Sequence, residues 1–283
     1  MAIRIFNNIS SLNSNRALDN NNSRVSKSVT RIASGIRVSR SADDPASFAV
    51  SEHLRSDTRV LRQAEKNATA AISMLNITEG ALNESSSALI RLKELASQAA
   101  TGTIGTSQRD SIQLEFSQLL KEVDRIAAVT EYNGKKLIDG SLSNEFLNKT
   151  IIALGMDSSS FSLINLNEEL NLTPVTTNGL GINSTSVNTQ SDALLALRDI
   201  DEANISLSKI RGRLGSTQRR MIRAVSNLNI SVQSLTFANS TMKDADLSQE
   251  FAELTRNQIL VKSSAAMVGQ SNLMPRSVLQ LLG

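Results

Sequence analysis

The chain of 283 residues carries a formal net charge of +3, is 40% hydrophobic, and has one His, one Tyr, three Pro and no Cys or Trp. That length and hydrophobicity exclude wholesale disorder and allow one or two ordinary domains, while so small a charge gives no ground for nucleic acid as a partner. Without Cys there is no disulfide framework, thiolate metal site or cysteine nucleophile, and His53 alone excludes any motif needing two histidines, so neither an enzyme nor a cofactor is expected.

Aromatics make up only 3% of the chain. The core must therefore be built from Ala, Leu, Ile, Val and Met, types that suit long helices better than strands. The first residues, Met1-Ala2-Ile3-Arg4-Ile5-Phe6-Asn7-Asn8, lack the uninterrupted apolar stretch of a secretory signal. No run of about eighteen apolar residues follows, so no membrane insertion is expected. Residues 1–42 hold Arg4, Arg16, Arg24, Lys27, Arg31, Arg37 and Arg40 against Asp19 alone, which reads as a solvated or subunit-facing surface. Within them Leu18, Asn22, Val25, Val29, Ile32 and Ile36 step by four and three, a helical stripe with a stop near Gly35. Asp43 and Asp44 read as caps of a helix beginning near Pro45.

The next segment carries a heptad seam, Leu54, Leu61, Ala68, Leu75, Leu82, Leu89 and Ala96, with mostly small residues at the offset positions Ala64, Ala71, Thr78, Ser85 and Ala99. A third helix is expected from Ile112, Phe116, Leu119, Val123 and Ile126, after a Gly102–Gly105 loop. Asn133-Gly134 and Asp139-Gly140 mark tight turns and a small β-hairpin. From 141 to 191 the periodicity lapses, Ser and Thr accumulate and Pro174 breaks the chain, so a short surface-exposed variable segment is expected, with Phe161, Leu163, Ile164 and Leu166 resembling a strand. A second heptad seam then matches the first: Ile200, Leu207, Leu214, Met221, Leu228, Leu235 and Met242. Each seam runs for roughly 65 Å at the α-helical rise. The last stripe, Phe251, Leu254, Gln258, Val261, Ala265 and Val268, has no partner in sequence except the first one.

These elements predict a mainly α fold: an elongated antiparallel helical bundle, the N- and C-terminal helices paired as a coiled coil, and a small β-hairpin at the far end. The expected domains are 1–42 plus 247–283 as an inner terminal coiled coil, 43–140 plus 192–246 as the bundle, and 141–191 as the variable segment. A terminal pair of that size has little core of its own, so it is expected to be disordered in the monomer and ordered in an assembly.

Several strings resemble the bacterial flagellin family. They are Arg31-Ile32-Ala33-Ser34-Gly35-Ile36-Arg37-Val38 followed by Ala42-Asp43-Asp44, then Thr78-Glu79-Gly80-Ala81-Leu82-Asn83-Glu84, Arg91-Leu92-Lys93-Glu94-Leu95-Ala96-Ser97-Gln98, Glu131-Tyr132-Asn133-Gly134-Lys135-Lys136-Leu137, Met242-Lys243-Asp244-Ala245-Asp246, Gln258-Ile259-Leu260 and Val278-Leu279-Gln280-Leu281-Leu282. Similarity covers about residues 1–140 and 190–283, in order. Pro45 and the final Gly283 depart from the family pattern, as does the very short middle.

What the resemblance implies is the structural subunit of a flagellar filament, outside the cell or periplasmic in a spiral bacterium. Its partners would be other copies of the chain, an export chaperone, a cap protein and hook-associated proteins, with export by the flagellar type III apparatus. Arg91, Leu95 and Glu115 fall where some members carry contacts to a Toll-like receptor; packing and lateral contacts account for them equally well. The polymerising surface is expected at Leu18, Val25, Val29, Ile32, Ile36, Phe251, Leu254, Val261, Ala265 and Val268. The closest alternative is a hook–filament junction protein of the same architecture; a coiled-coil adaptor would not need apolar stripes at both extreme ends. The cluster Arg211, Arg213, Arg219, Arg220 and Arg223 reads as a solvated or subunit-bridging face, because no aromatic platform accompanies it. Ser and Thr within 156–191 are candidates for O-linked sugar, whereas triplets such as Asn148-Lys149-Thr150 arise by chance in so Asn- and Ser-rich a chain.

Overall fold

The computed structural model describes residues 8–143, 149–156, 159 and 162–282, the last nine of these as backbone only. Phe161, Asn148 and Gly283 lie outside the described residues. The fold is mainly α: α1 (Ile9–Ser34), α2 (Pro45–Ala99), α3 (Thr106–Val129), the strands β1 (Glu131–Tyr132), β2 (Lys135–Lys136), β3 (Ile151–Ala153) and β4 (Leu163–Asn165), then α4 (Leu166–Leu170), α5 (Gln190–Lys243) and α6 (Leu247–Leu282).

Local chemistry sets where the long helices start. Asn8 accepts from the Ser11 amide at 3.1 Å at the head of α1. The Asp44 carboxylate accepts from the Ser47 amide at 3.1 Å, with Pro45 in the first helical position, where its missing N–H is no loss. Gln108 reaches back to the Gly105 amide at 2.9 Å ahead of α3. Thr189 accepts from the Asp192 amide at 3.1 Å ahead of α5, and Asp246 from the Ser248 amide at 2.8 Å ahead of α6. At the other end of α1, Gly35 takes a left-handed φ of 69° and its amide bonds to the Arg31 carbonyl, so the chain stops where a Cβ would be strained.

The chain packs as two units, Met1–Ser56 with Ser234–Gly283, and Asp57–Gln233. The division falls inside α2 and α5, whereas the sequence suggests boundaries at residues 42 and 246. The reason is continuity: both long helices run uninterrupted past their linkers, and the first turns of α2 pack with the last turns of α5 within the first unit. There the Lys243 ammonium donates to Glu52 at 3.2 Å and sits 5.8 Å from the Phe48 ring centre.

In the second unit the core is a dry seam of α2 and α5 joined by one face of α3. Leu61, Leu75, Leu82, Leu89 and Leu92 are buried on α2, Ile200, Leu207, Leu214, Met221 and Leu228 on α5, and Ile112, Phe116 and Val123 on α3. Leu54 and Leu235 are half-buried and belong to the first unit. Tyr132 and Lys135 face each other across a two-residue Asn133-Gly134 turn in which both residues have positive φ, 50° and 75°, the conformation that makes this dipeptide a hairpin signal.

The segment 141–191 corrects an expectation. It was read as surface elaboration, yet Leu142, Ile152, Ile164, Leu166, Leu170, Leu172, Val175, Leu180, Ile182 and Val187 all join the same buried core. Apart from Ile151, Ile152, Ala153 and Leu154 at β3 and the pair Leu163-Ile164 in β4, its apolar residues come mostly singly between polar ones, so little periodicity announces them and tertiary contacts hold the irregular backbone instead. Asn167, fully buried, accepts from the Thr150 amide at 2.8 Å and donates to the Ser141 and Ser143 carbonyls at 3.0 and 2.8 Å. Asp124 on α3 accepts from both the amide and the hydroxyl of Thr177 at 2.8 Å, and Gln113 accepts from the Val187 amide at 2.6 Å. Leu163 and Ile164 lie in β4, paired antiparallel with β3, while Leu166 opens α4.

Candidate subunit interface

The terminal helices α1 and α6 pack against each other within the first unit. On α1, Leu18, Val25 and Ile32 recur every seven residues with Ser14, Asn21 and Ser28 at the offset positions. On α6, Leu254, Val261 and Val268 recur with Asn257, Ser264 and Ser271. The apolar members are only half-buried, and the residues most removed from water in the two helices are polar: Ser28, Glu250, Asn257 and Ser271.

Hydrogen bonds cross this seam. Asn21 Nδ2 donates to Ser264 Oγ at 2.9 Å, Ser11 Oγ to Asn272 Oδ1 at 2.7 Å, Asn8 Nδ2 to the Ser271 carbonyl at 2.8 Å, and Arg31 Nη1 to Glu250 Oε1 at 3.0 Å. Among the described residues Glu250 Oε2 and Ser271 Oγ are buried with no hydrogen-bond partner. A buried polar seam of this kind specifies pairing at a cost in stability.

The outward faces are the reverse. Ile9, Leu12 and Val29 on α1, and Leu247, Phe251, Ile259, Leu260, Met267 and Leu273 on α6, are all exposed, Phe251 by 53% and Ile259 by 62%. Scattered exposed apolar residues are ordinary, but here large apolar side chains lie outside a pair whose inside is half polar. Of the residues read from the sequence as the polymerising surface, Leu18, Val25, Ile32, Leu254, Val261 and Val268 lie in the intrachain seam. Val29, Phe251 and Ala265 point outward, and Ile36 lies beyond α1, in an isolated antiparallel bridge with Asp244. Missing from that reading were Ile259, Leu260, Met267 and Leu273, since a stepping rule that follows one face passes over apolar residues on the other. Three cations of the first segment also gather: Arg24, Lys27 and Arg31 line one groove together with Arg256 and Glu253 of α6.

On the second unit, Leu95 is 2% exposed and is a core residue of α2, which favours packing over surface contact, the two accounts that the sequence left open for it. Arg91 and Glu115 are at the surface and bind each other, Nε and Nη2 of Arg91 donating to Glu115 Oε1 at 3.0 and 2.6 Å while Nη1 donates to Glu94 at 3.0 Å. These bonds, Glu115 first, raise the Arg91 pKa above its ordinary value. Two members of the α5 arginine cluster are engaged within the fold, Arg213 donating to the Asn171 carbonyl at 3.2 Å and Arg220 pairing with Glu169. Among the described residues no His, Cys, Asp and Glu cluster could hold a metal ion, and no helix is long and apolar enough to cross a membrane.

Long helices with heptad seams, a three-helix core and a terminal helix pair of inverted polarity define a class of mainly helical structural protein. The comparisons place the chain more closely. A family model described as the bacterial flagellin N-terminal helical region matches residues 5–143, and one described as the bacterial flagellin C-terminal helical region matches residues 197–282. The chain belongs to the bacterial flagellin family. Curated relatives include the flagellar filament 30.7 kDa core protein of Treponema maltophilum, 35% identical over 98% of this chain and 99% of that protein. Flagellin of Bacillus subtilis (strain 168) is 34% identical over 99% of this chain and all, 100%, of its own length. Relatives so named favour a filament subunit over the hook–filament junction alternative. Among solved structures, Bacillus cereus flagellin is 27% identical, with a TM-score of 0.49 over 58% of this chain and 88% of that one. A putative flagellar hook-associated protein from Vibrio parahaemolyticus shares the fold at 12% identity, with a TM-score of 0.57 over 71% of this chain and 100% of that one.

Proposed function

We propose that this chain, a structural subunit of the bacterial flagellar filament, polymerises through the outward apolar faces of α1 and α6, which become ordered and buried only among neighbouring copies. The single observation that carries the reading is the inverted polarity of the terminal pair: polar residues are its most buried members, and Val29, Phe251, Ile259 and Met267 lie outside. Fully covering one such side chain contributes about 1.5–3 kcal/mol, so a few per subunit offset the ordering entropy of the pair. Contacts between non-equivalent faces build an open helical array when the rotation from one copy to the next does not close a ring, which is the arrangement a filament requires.

The finer partners follow the resemblance. An export chaperone on the C-terminal segment, a cap protein at the growing tip and hook-associated proteins at the base complete the assembly, and the terminal helices pass the flagellar export apparatus in extended form. The protein works as a structural element and catalyses nothing, in a filament outside the cell or, in a spiral bacterium, in the periplasm. Toll-like receptor contact, if made, rests on Arg91 and Glu115 without Leu95.

The test is assembly of Phe251→Ser and Ile259→Ser, alone and together, at concentrations where the wild type forms pelletable filaments visible by negative stain. The double variant is expected to remain soluble with the thermal unfolding of the second unit unchanged, and far-UV circular dichroism of the wild type should show helix gained on polymerisation. Double-variant filaments growing at the wild-type concentration, or no helix gain, would sink the reading.

A further inference from the structure

The seam of α1 and α6 has a property that its own residues cannot resolve. Because its apolar and small polar positions each recur every seven residues on both helices, sliding one helix by a heptad, about 10 Å, sets the same residue classes against one another again. Leu18 faces the same kind of neighbour in either register, and so does Asn21. A seam that repeats itself selects antiparallel pairing without selecting one alignment.

What does not repeat lies at the ends: Asn8 and Ser11 bond to Ser271 and Asn272 at one, and a denser set forms at the other, where the linkers between α1 and α2 and between α5 and α6 meet. The Ala245 amide donates to the Gly35 carbonyl at 2.9 Å, and Ile36 and Asp244 form an antiparallel bridge. The Arg37 amide donates to the Lys243 carbonyl at 2.8 Å and its guanidinium Nη2 to the Met242 carbonyl at 2.8 Å. These two carbonyls end α5 and have no helical partner of their own, so Arg37 caps them from the neighbouring linker. One turn further along, Arg31 supplies the hydrogen bond of Glu250, a carboxylate only 6% exposed whose second oxygen has no partner among the described residues. Sliding α6 by a heptad in either direction parts Glu250 from Arg31 and pulls Ala245 away from Gly35, while Arg37 stays tied to the end of α5 and fixes where the linker of α1 lies. Leaving a buried carboxylate uncompensated is strongly unfavourable.

We infer that this junction is a clamp that sets the register of the terminal helix pair, with Arg31, Glu250 and Arg37 as its side chains, while the seam itself supplies only cohesion. The clamp aligns the outward apolar faces identically in every subunit. It rests on the α1–α6 pairing and not on the route of polymerisation.

The chain has no cysteine, so register can be read by disulfide trapping in the full-length protein copolymerised with an excess of wild type, the state in which the terminal pair is ordered. Asn21→Cys with Ser264→Cys reports the register described here; Asn21→Cys with Ser271→Cys or with Asn257→Cys reports a heptad slip either way. With the clamp intact only the first pair should cross-link. Arg31→Ala with Arg37→Ala is expected to cut that product at least threefold and to bring up one or both slipped products, and the near-isosteric Glu250→Gln to do the same more weakly should the double variant not fold. Val25→Ala with Val261→Ala, which weakens the seam alone, should lower the first product without producing slipped ones. Exclusive trapping of the first pair in both clamp variants overturns the inference, as does slippage in the seam variant alone. Filament loss in Phe251→Ser with Ile259→Ser reports on the polymerisation reading separately, because that variant leaves the clamp and the seam intact.

Discussion

Two helix pairs in this chain carry a seven-residue repeat, and they use it in opposite ways. Where α2 meets α5 in the second unit, both the seam and its offset positions are closed, Leu75, Leu82 and Leu89 lying opposite a stripe that runs Ile200, Leu207, Leu214 and Met221, all buried. Where α1 meets α6, the offset positions are Ser, Asn and Glu, the apolar positions are half open, and the larger apolar side chains lie on the outside. A period alone therefore says that two helices pair. Whether they make a self-sufficient core depends on what fills the offset positions and on whether a third element closes the side, as α3 and the segment 141–191 do for one pair and nothing within the chain's described residues does for the other.

The contrast has measurable edges. Leu82→Ala, at a fully buried position, should cost about 2–5 kcal/mol and lower the cooperative melting of the soluble chain by many degrees, leaving any residual polymer fragile. A loss below about 1 kcal/mol would mean that the α2–α5 seam is not the autonomous core. Asn167→Ala removes one side chain that serves three backbone groups, and with those groups buried it should cost on the order of 1–3 kcal/mol, read as a lower urea midpoint at unchanged m-value. An unchanged midpoint would return 141–191 to the status of a surface appendage. Val25→Ala is expected to move the soluble chain's melting by less than about 0.5 kcal/mol, yet to raise the concentration needed for polymerisation several-fold, because the α1 seam is cohesive only in company. A large shift in the soluble chain would make the two pairs alike.

The smallest expected effect is at Asp44, the cap of α2. Hydrogen bonding from Ser47 holds its pKa below the ordinary carboxylate value, so its stabilising contribution is complete above that ordinary value and is lost as pH falls through the lowered folded one. Asp44→Ala should abolish that part of the acid dependence, whereas Asp44→Asn, which can still accept from the Ser47 amide, should keep most of the stability at neutral pH while also losing the pH slope. Acid titration monitored by circular dichroism separates the two.

Much of the helical fold was legible before any coordinate. Heptads of Leu on α2 and α5 declare themselves because a helix of 3.6 residues per turn needs an apolar residue on one face at that spacing, and the Asn133-Gly134 turn declares itself because few residues accept two successive positive φ values. The segment 141–191 was illegible for the converse reason: its buried residues are mostly single, and their burial is set by Asn167 tying the segment to itself and by Asp124 and Gln113 reaching across from α3. Leu95 stayed open between packing and surface contact for a related reason, since a position on a helix string carries no sign of which side of α2 the neighbouring helix will cover.

Composition, period and capping residues thus dictated that the chain would be helical, where its long helices would begin and which stripes would seek partners, because each of these is a local property of backbone geometry and side-chain polarity. Three-dimensional packing alone decided that the middle segment closes the core, that the terminal seam is half polar while its outer face is apolar, and that Arg31 and Arg37 meet α6 and the end of α5. Those outcomes depend on contacts between residues 17 to 74 positions apart in the middle segment and more than two hundred apart at the terminal pair, which no local pattern encodes.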